Sequence, residues 1–383
     1  MTIPTEVLDL MVEVRRDLHR HPELSWQEKR TAEAIERALS GLGIACRIGV
    51  AETGVVADLP GASNSQLIAL RADTDALPVT EHTGLPFSSS RDGIMHACGH
   101  DAHVAMLIGA AALLAADRDP HVPVRLLFQP AEELGTGAPA MIEDGAIDGV
   151  AMIFGGHVDA QFDPGEIVVH AGSVNASTDE FAITLTGAGG HAARPHESTD
   201  PILAASDLVS TIQTIVSRRV PPTQPAVVTV GRIEGGTAPN ILASRVRLEG
   251  TLRAQTAEIR DLIRSSLRDI ATAIGDKHGT DVVTEFLVGT PPVVNTRPAL
   301  AVSQAAAERA VGPGHVRPLP APNMGGEDFG FYLEKIPGCY VRFGARRPSP
   351  PNGPAHSGLF DVDEGVLAVG ARYYYEVAVE AGR

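Results

Sequence analysis

Three short, largely apolar runs, at residues 67–72, 124–129 and 151–155, are the feature that most limits how this chain can fold. None alternates regularly with polar positions, so each predicts a strand covered on both faces rather than one lying on a wet surface. Between the first two lies an alanine- and leucine-rich stretch, residues 102–117, that reads as a buried helix. Upstream, residues 6–20 place Leu8, Met11, Val12 and Leu18 at helical spacing. Residues 27–42 form a second helical stretch that ends at Gly43. A further strand is predicted at 167–170. Strands and helices in this alternation predict a layered α/β sheet with helices on both sides.

The pattern changes after about residue 177. Residues 180–186 alternate polar and apolar, as a half-exposed strand does. A helix (200–217), two strands (226–233 and 245–252), a helix (257–274) and a strand (281–287) follow. That order is β-α-β-β-α-β, the ferredoxin-like arrangement. The chain therefore reads as two domains: residues 1–177 and 291–383 form the sheet domain, and 178–290 are inserted into it. A length of 383 residues is more than one hydrophobic core usually serves.

Charge narrows the partners. Lys and Arg number 31 and Asp and Glu 47, a net charge of −16, which argues against nucleic acid or an anionic membrane as the main partner. The longest apolar stretches fall short of the roughly 18 residues a membrane span needs. The first ten residues show no basic segment before a long apolar run. With only Cys46, Cys98 and Cys339 available, a disulfide framework is not expected. The reading is a cytoplasmic protein acting on a small molecule.

The chemistry concentrates in a few segments. His96-Ala97-Cys98-Gly99-His100-Asp101-Ala102-His103 crowds imidazole, thiol and carboxylate together just before a helix, and these are the groups that hold zinc and similar divalent ions. The run 124–129 leads into Pro130-Ala131-Glu132-Glu133, adjacent acids at a strand's C-terminal end, where α/β proteins place their sites. If that segment is extended, the two side chains diverge, and one glutamate can hold a metal while the other faces substrate. His157 follows the run 151–155 to the same sheet edge. Asp73 and Asp75 after the run 67–72 are candidates for orienting ligating imidazoles, or else simple turn residues. Gly325-Gly326-Glu327-Asp328, His356, a glycine-rich loop carrying His191, a second such loop ending at Asn240, and Arg253 near a strand end complete the set.

Taken together, these segments resemble the carboxypeptidase/aminoacylase family of dinuclear metallopeptidases. Within it they are most similar to the branch of hippurate hydrolases, N-acyl-amino-acid amidohydrolases and auxin-conjugate hydrolases. The match runs in order from His19-Arg20-His21-Pro22-Glu23-Leu24-Ser25 to His356-Ser357. Its most specific motifs are His-Ala-Cys-Gly-His-Asp-Ala-His and Phe-Gln-Pro-Ala-Glu-Glu. The resemblance implies a zinc-peptidase-like catalytic α/β domain with a ferredoxin-like insert used for dimerisation, and two divalent ions per subunit (Mn²⁺, Zn²⁺, Co²⁺ or Ni²⁺). It implies Cys98, His100, Glu133, His157 and His356 as metal ligands and Glu132 as general base. It also implies that His191 reaches the neighbouring subunit's site in a homodimer, and that Asn240 and Arg253 grip the substrate's carboxylate. Two departures stand out: Leu134 replaces a common glycine, and Ser-Gly rather than Asn-Pro follows His356. The expected activity is amide hydrolysis of an N-acyl amino acid. A dipeptidase or carboxypeptidase of the same fold and a non-catalytic metal-dependent binding protein are the alternatives.

Overall fold

The structure, a computed structural model, describes residues 3–62, 65–117 and 122–383. The chain divides into two compact units. The first comprises residues 1–174, 294–321 and 328–383; the second comprises 175–293 together with the short segment 322–327. That short segment has no counterpart in the sequence reading, which assigns it to the sheet domain.

The first unit begins with helices α1 (Thr5–Arg20) and α2 (Lys29–Gly41). Strands β1 (Cys46–Val50), β2 (Gly54–Leu59) and β3 (Leu67–Asp73), helix α3 (His100–Ala116), strand β4 (Val124–Gln129), helix α4 (Gly137–Glu143) and strands β5 (Val150–Asp159), β6 (Ile167–Val168) and β7 (Gly172–Asn175) follow. α3 is apolar on almost every side because α1, β3 and the C-terminal helix α9 (Gly365–Glu380) pack around it, so that residues 100–114 are all buried. It starts two residues earlier than the alanine-rich run suggests, which puts His100, Asp101 and His103 in its first turn.

The second unit holds β8 (Ser177–Thr186), β9 (Gly190–His191), α5 (Pro201–Thr214), β10 (Ala226–Gly235), β11 (Ile241–Leu242), β12 (Arg245–Ala254), α6 (Ala257–His278) and β13 (Asp281–Thr290). Its four long strands form an antiparallel sheet in the order β10-β12-β8-β13, the first and third strands of the split pattern lying at the centre. The Asp200 side chain caps α5 by accepting from the Ile202 and Leu203 amides, and Thr256 caps α6 through the Ile259 amide. Phe181, Leu208, Leu248 and Ile263 belong to a core separate from that of the first unit.

The chain then adds β14 (Val293–Asn295), α7 (Arg297–Val311), β15 (Val316–Arg317), α8 (Gly330–Leu333), β16 (Gly338–Gly344) and α9 (Gly365–Glu380). The large sheet has eight strands in the order β1-β2-β4-β3-β5-β16-β6-β15. At its centre β4, β3, β5 and β16 run parallel, so their C-terminal ends come out on one edge. That edge carries the chemistry. No helix among the described residues is long and apolar enough to cross a membrane.

Candidate active site

Four segments bring their side chains together at this edge. Gly99 sits between Cys98 and His100 with φ +92°, and a Cβ there would lie 2.5 Å from Val158 Cγ2. Only glycine passes this corner, which turns the chain from the loop into α3. Cys98 Sγ lies 3.2 Å from His157 Nε2. The donor atoms of Cys98, His100 and His157 fall within 4.8 Å of one another, as do those of Cys98, Glu133 and His356 and those of His100, Glu132 and Glu133. His157 is a residue of β5 itself, where the sequence reading places it just beyond the strand.

Each imidazole is held from behind. His100 Nδ1 donates to the Asp75 carbonyl at 2.9 Å, which turns Nε2 inward; that atom is buried and has no hydrogen-bond partner. His157 Nδ1 lies 2.6 Å from the Val158 carbonyl, so Nε2 faces Cys98. His356 has φ +66°, an unusual conformation for a side-chain-bearing residue, and its amide donates to the Ala97 carbonyl. Its Nε2 stands 3.4 Å from Glu133 Oε1. His103 plays a different part: Nε2 accepts from the Val158 amide at 2.9 Å and Nδ1 donates to Asp73. With both nitrogens engaged, it braces the strand carrying His157 and has no atom left for an ion.

Glu132 and Glu133 lie in a tight turn rather than in the extended segment expected from sequence. Both can approach one point: Glu132 Oε2 and Glu133 Oε1 are each 3.9 Å from His100 Nε2. The Asp75 carboxylate accepts from both glutamate amides, at 3.2 and 3.1 Å, and so fixes the turn as well as His100. Ala131 precedes the pair with φ +52°, and its amide donates to the buried Glu28. Sequence reasoning singled out Asp75 but missed Glu28, whose position carries no motif.

The electrostatics fit a cation site. Burial, and then the charge of Glu133, push the Cys98 thiol up to about 12. Burial holds His157 well below the usual imidazole range. Burial also opposes charge on His100, but Asp73 and the contact with Asp75 outweigh it and raise His100 well above that range. A thiol, three imidazoles and carboxylates converging around a partnerless buried nitrogen form the mixed donor set that holds divalent transition ions.

The remaining expected residues belong to the second unit. β9 and β11 pair so that His191 faces Ile241, and the Ala192 amide donates to the Asn240 carbonyl at 3.1 Å. His191 and Asn240 are therefore neighbours. The Ala193 amide donates to His191 Nδ1, which leaves Nε2 as the nitrogen carrying the proton in the neutral ring. Arg253 is elsewhere. The Gly187 amide meets the Ser244 carbonyl at the Thr186–Arg245 end of the β8–β12 ladder, whereas Arg253 pairs with Thr178 at the other end. Eight residues of strand separate the two ends, about 26 Å. Asn240 precedes the first of these ends, and Arg253 stands at the other.

Known proteins resemble this chain over nearly its whole length. Residues 69–380 match the model of peptidase family M20/M25/M40. The chain is 41% identical to N-acetylcysteine deacetylase of Bacillus subtilis over 96% of both chains. It is 37% identical to the IAA-amino acid hydrolase ILR1-like 2 of Arabidopsis thaliana, over 98% of this chain and 86% of that one. The crystal structure of the Bacillus subtilis YXEP protein, described as a dinuclear metal-binding peptidase, superposes with a TM-score of 0.86 at 36% identity, covering 98% of each chain. Family model, relatives and fold agree, and the chain belongs to the M20/M25/M40 peptidase family as a metal-dependent hydrolase.

Proposed function

We propose that this enzyme hydrolyses the amide bond of N-acyl amino acids, with Cys98, His100, Glu133, His157 and His356 holding two divalent ions and Glu132 acting as general base. The observation that carries the reading is the convergence of those five donor groups on the turn that also presents Glu132. When bound, the ions polarise the scissile carbonyl and make water a better nucleophile at neutral pH. Glu132 takes the proton from the attacking water and returns it to the departing amine. The products are the free acid of the acyl group and the amino acid.

His191, with Nε2–H as donor, hydrogen-bonds the oxygen on which negative charge develops. Arg253, whose planar fork matches a carboxylate, and Asn240 select substrates with a free carboxyl group. Because Asn240 travels with His191, whereas Arg253 stands at the other end of the β8–β12 ladder, a homodimer supplies both: the partner subunit contributes His191 and Asn240. Two relatives support the substrate class, since one is named an N-acetylcysteine deacetylase and the other an IAA-amino acid hydrolase.

A substrate panel tests this reading. Manganese-loaded enzyme is expected to release amino acid from N-acetyl and N-benzoyl amino acids and to act at least about 10-fold more slowly on unblocked dipeptides. Faster turnover of dipeptides would assign the chain to the peptidases of the family. No turnover of either, with metal bound, would leave a binding protein.

A further inference from the structure

Asp328, in the Gly-Gly-Glu-Asp motif that the proposed mechanism does not use, is fully buried at the back of the turn bearing Glu132 and Glu133. Its Oδ1 accepts from Arg71 Nη2 at 2.9 Å, and both its oxygens lie 2.9 Å from Gln129 Nε2. Oδ2 also accepts from the Ala138 amide at 2.9 Å. Gln129 is the last residue of β4 and Ala138 lies in the first turn of α4, so one carboxylate ties together the two ends of the 130–136 loop. Closure is tight: a Cβ at Gly137 would lie 1.6 Å from the Pro130 carbonyl oxygen, so only glycine fits beneath the clasp.

The same carboxylate reaches the other side of the site. Arg71 pairs with Asp73, Asp73 accepts from His103, and His103 accepts from the amide of Val158, next to His157. Asp328 is also the residue at which the chain re-enters the first unit after the second unit's segment 322–327.

We propose that Asp328 is a positioning residue, a clasp that sets the Glu132–Glu133 turn against the imidazoles; this rests on the roles given to those glutamates above. A buried carboxylate with these partners holds geometry that a neutral amide cannot, because an amide presents N–H groups to the donors of Gln129 and Ala138. Displacing a catalytic group by about 1 Å costs on the order of 100-fold in rate.

The experiment uses the full-length, metal-loaded enzyme. Asp328→Asn is expected to lower kcat by about 100-fold with little change in KM, to lose metal faster to a chelator, and to speed amide hydrogen exchange at 130–138. Gln129→Glu combined with Asp328→Asn exchanges carboxylate and amide across the pair and is expected to restore part of kcat, the contact with the Ala138 amide being the one it does not repair. If Asp328→Asn does not fold, Gln129→Met removes one arm of the clasp and is expected to lower kcat in the same way. Unchanged kcat and exchange in a folded variant that has lost only thermal stability would overturn the proposal, as would a double variant no better than the single one. Glu132→Gln, measured alongside, separates the two ideas. If it keeps turnover, the general-base reading fails; if it loses turnover while Asp328→Asn keeps it, only the clasp fails.

Discussion

Glu132→Gln is expected to lower kcat by about 10²- to 10⁴-fold, the usual contribution of a positioned general base, while metal content and KM stay near wild type. The turn supports this expectation. Its backbone is fixed by Asp75 through the two glutamate amides and by Glu28 through the Ala131 amide, so the Glu132 side chain can change without moving its neighbours. Glutamine has the same shape and cannot accept the proton from water. Glu133→Gln should behave differently, because Glu133 shares a cluster with Cys98 and His356 and its loss should release metal. Kinetics and metal analysis on the two variants check this directly. Normal turnover in Glu132→Gln would remove it from the mechanism.

The second large effect concerns the subunits. His191→Ala and Glu132→Ala should each be nearly inactive alone. Mixed and allowed to exchange, they should recover about a quarter of wild-type activity, because half of the dimers are mixed and each of those holds one intact site. Asn240→Ala should complement Glu132→Ala equally well, since the β9–β11 ladder places Asn240 beside His191. Arg253→Ala should not, because Arg253 stands at the opposite end of the β8–β12 ladder from the one the His191 and Asn240 loops leave, and on the proposed reading it serves its own chain's site. No recovery in mixtures shown to exchange would place His191 in its own subunit's site, and recovery with Arg253→Ala would reverse the assignment of that residue.

Much of the central sheet was legible in the sequence because buried parallel strands leave unbroken apolar runs, as in β3 and β4. The order of elements in the second unit was legible for the opposite reason: β8 alternates, and its helices carry plain start signals at Asp200 and Thr256. The C-terminal quarter was not assigned to elements. α9 mixes valines and three consecutive tyrosines, which favour strands, with glycines, which favour neither state, and it is helical because its Gly370 face packs on Met106 of α3. β1 was missed because its middle residues are exposed and offer no buried run.

In the site, the segments rich in ligand-type residues could be read because chemistry selects residue types, and types are what a sequence displays. The supports could not. Nothing local says that Glu28 receives the Ala131 amide, that His103 braces β5 while His100 faces inward, or that Asp328 closes a loop 190 residues away from it. Such partners are set by how strands stack, and the approach of Glu132 and Glu133 to one point comes from a turn that these same contacts hold.

The central claim is that a pair of divalent ions, held by Cys98, His100, Glu133, His157 and His356, drives amide hydrolysis. Titrating metal-stripped enzyme with Mn²⁺, while measuring both bound metal and amine released from an N-acyl amino acid, tests it most directly. The account predicts no hydrolysis without metal, binding of two ions per chain as in the dinuclear Bacillus subtilis neighbour, and activity that rises as the sites fill. It also predicts that substituting any of the five residues weakens binding and activity together. Hydrolysis by fully stripped enzyme, or ion binding that all five substitutions leave unchanged, would contradict it.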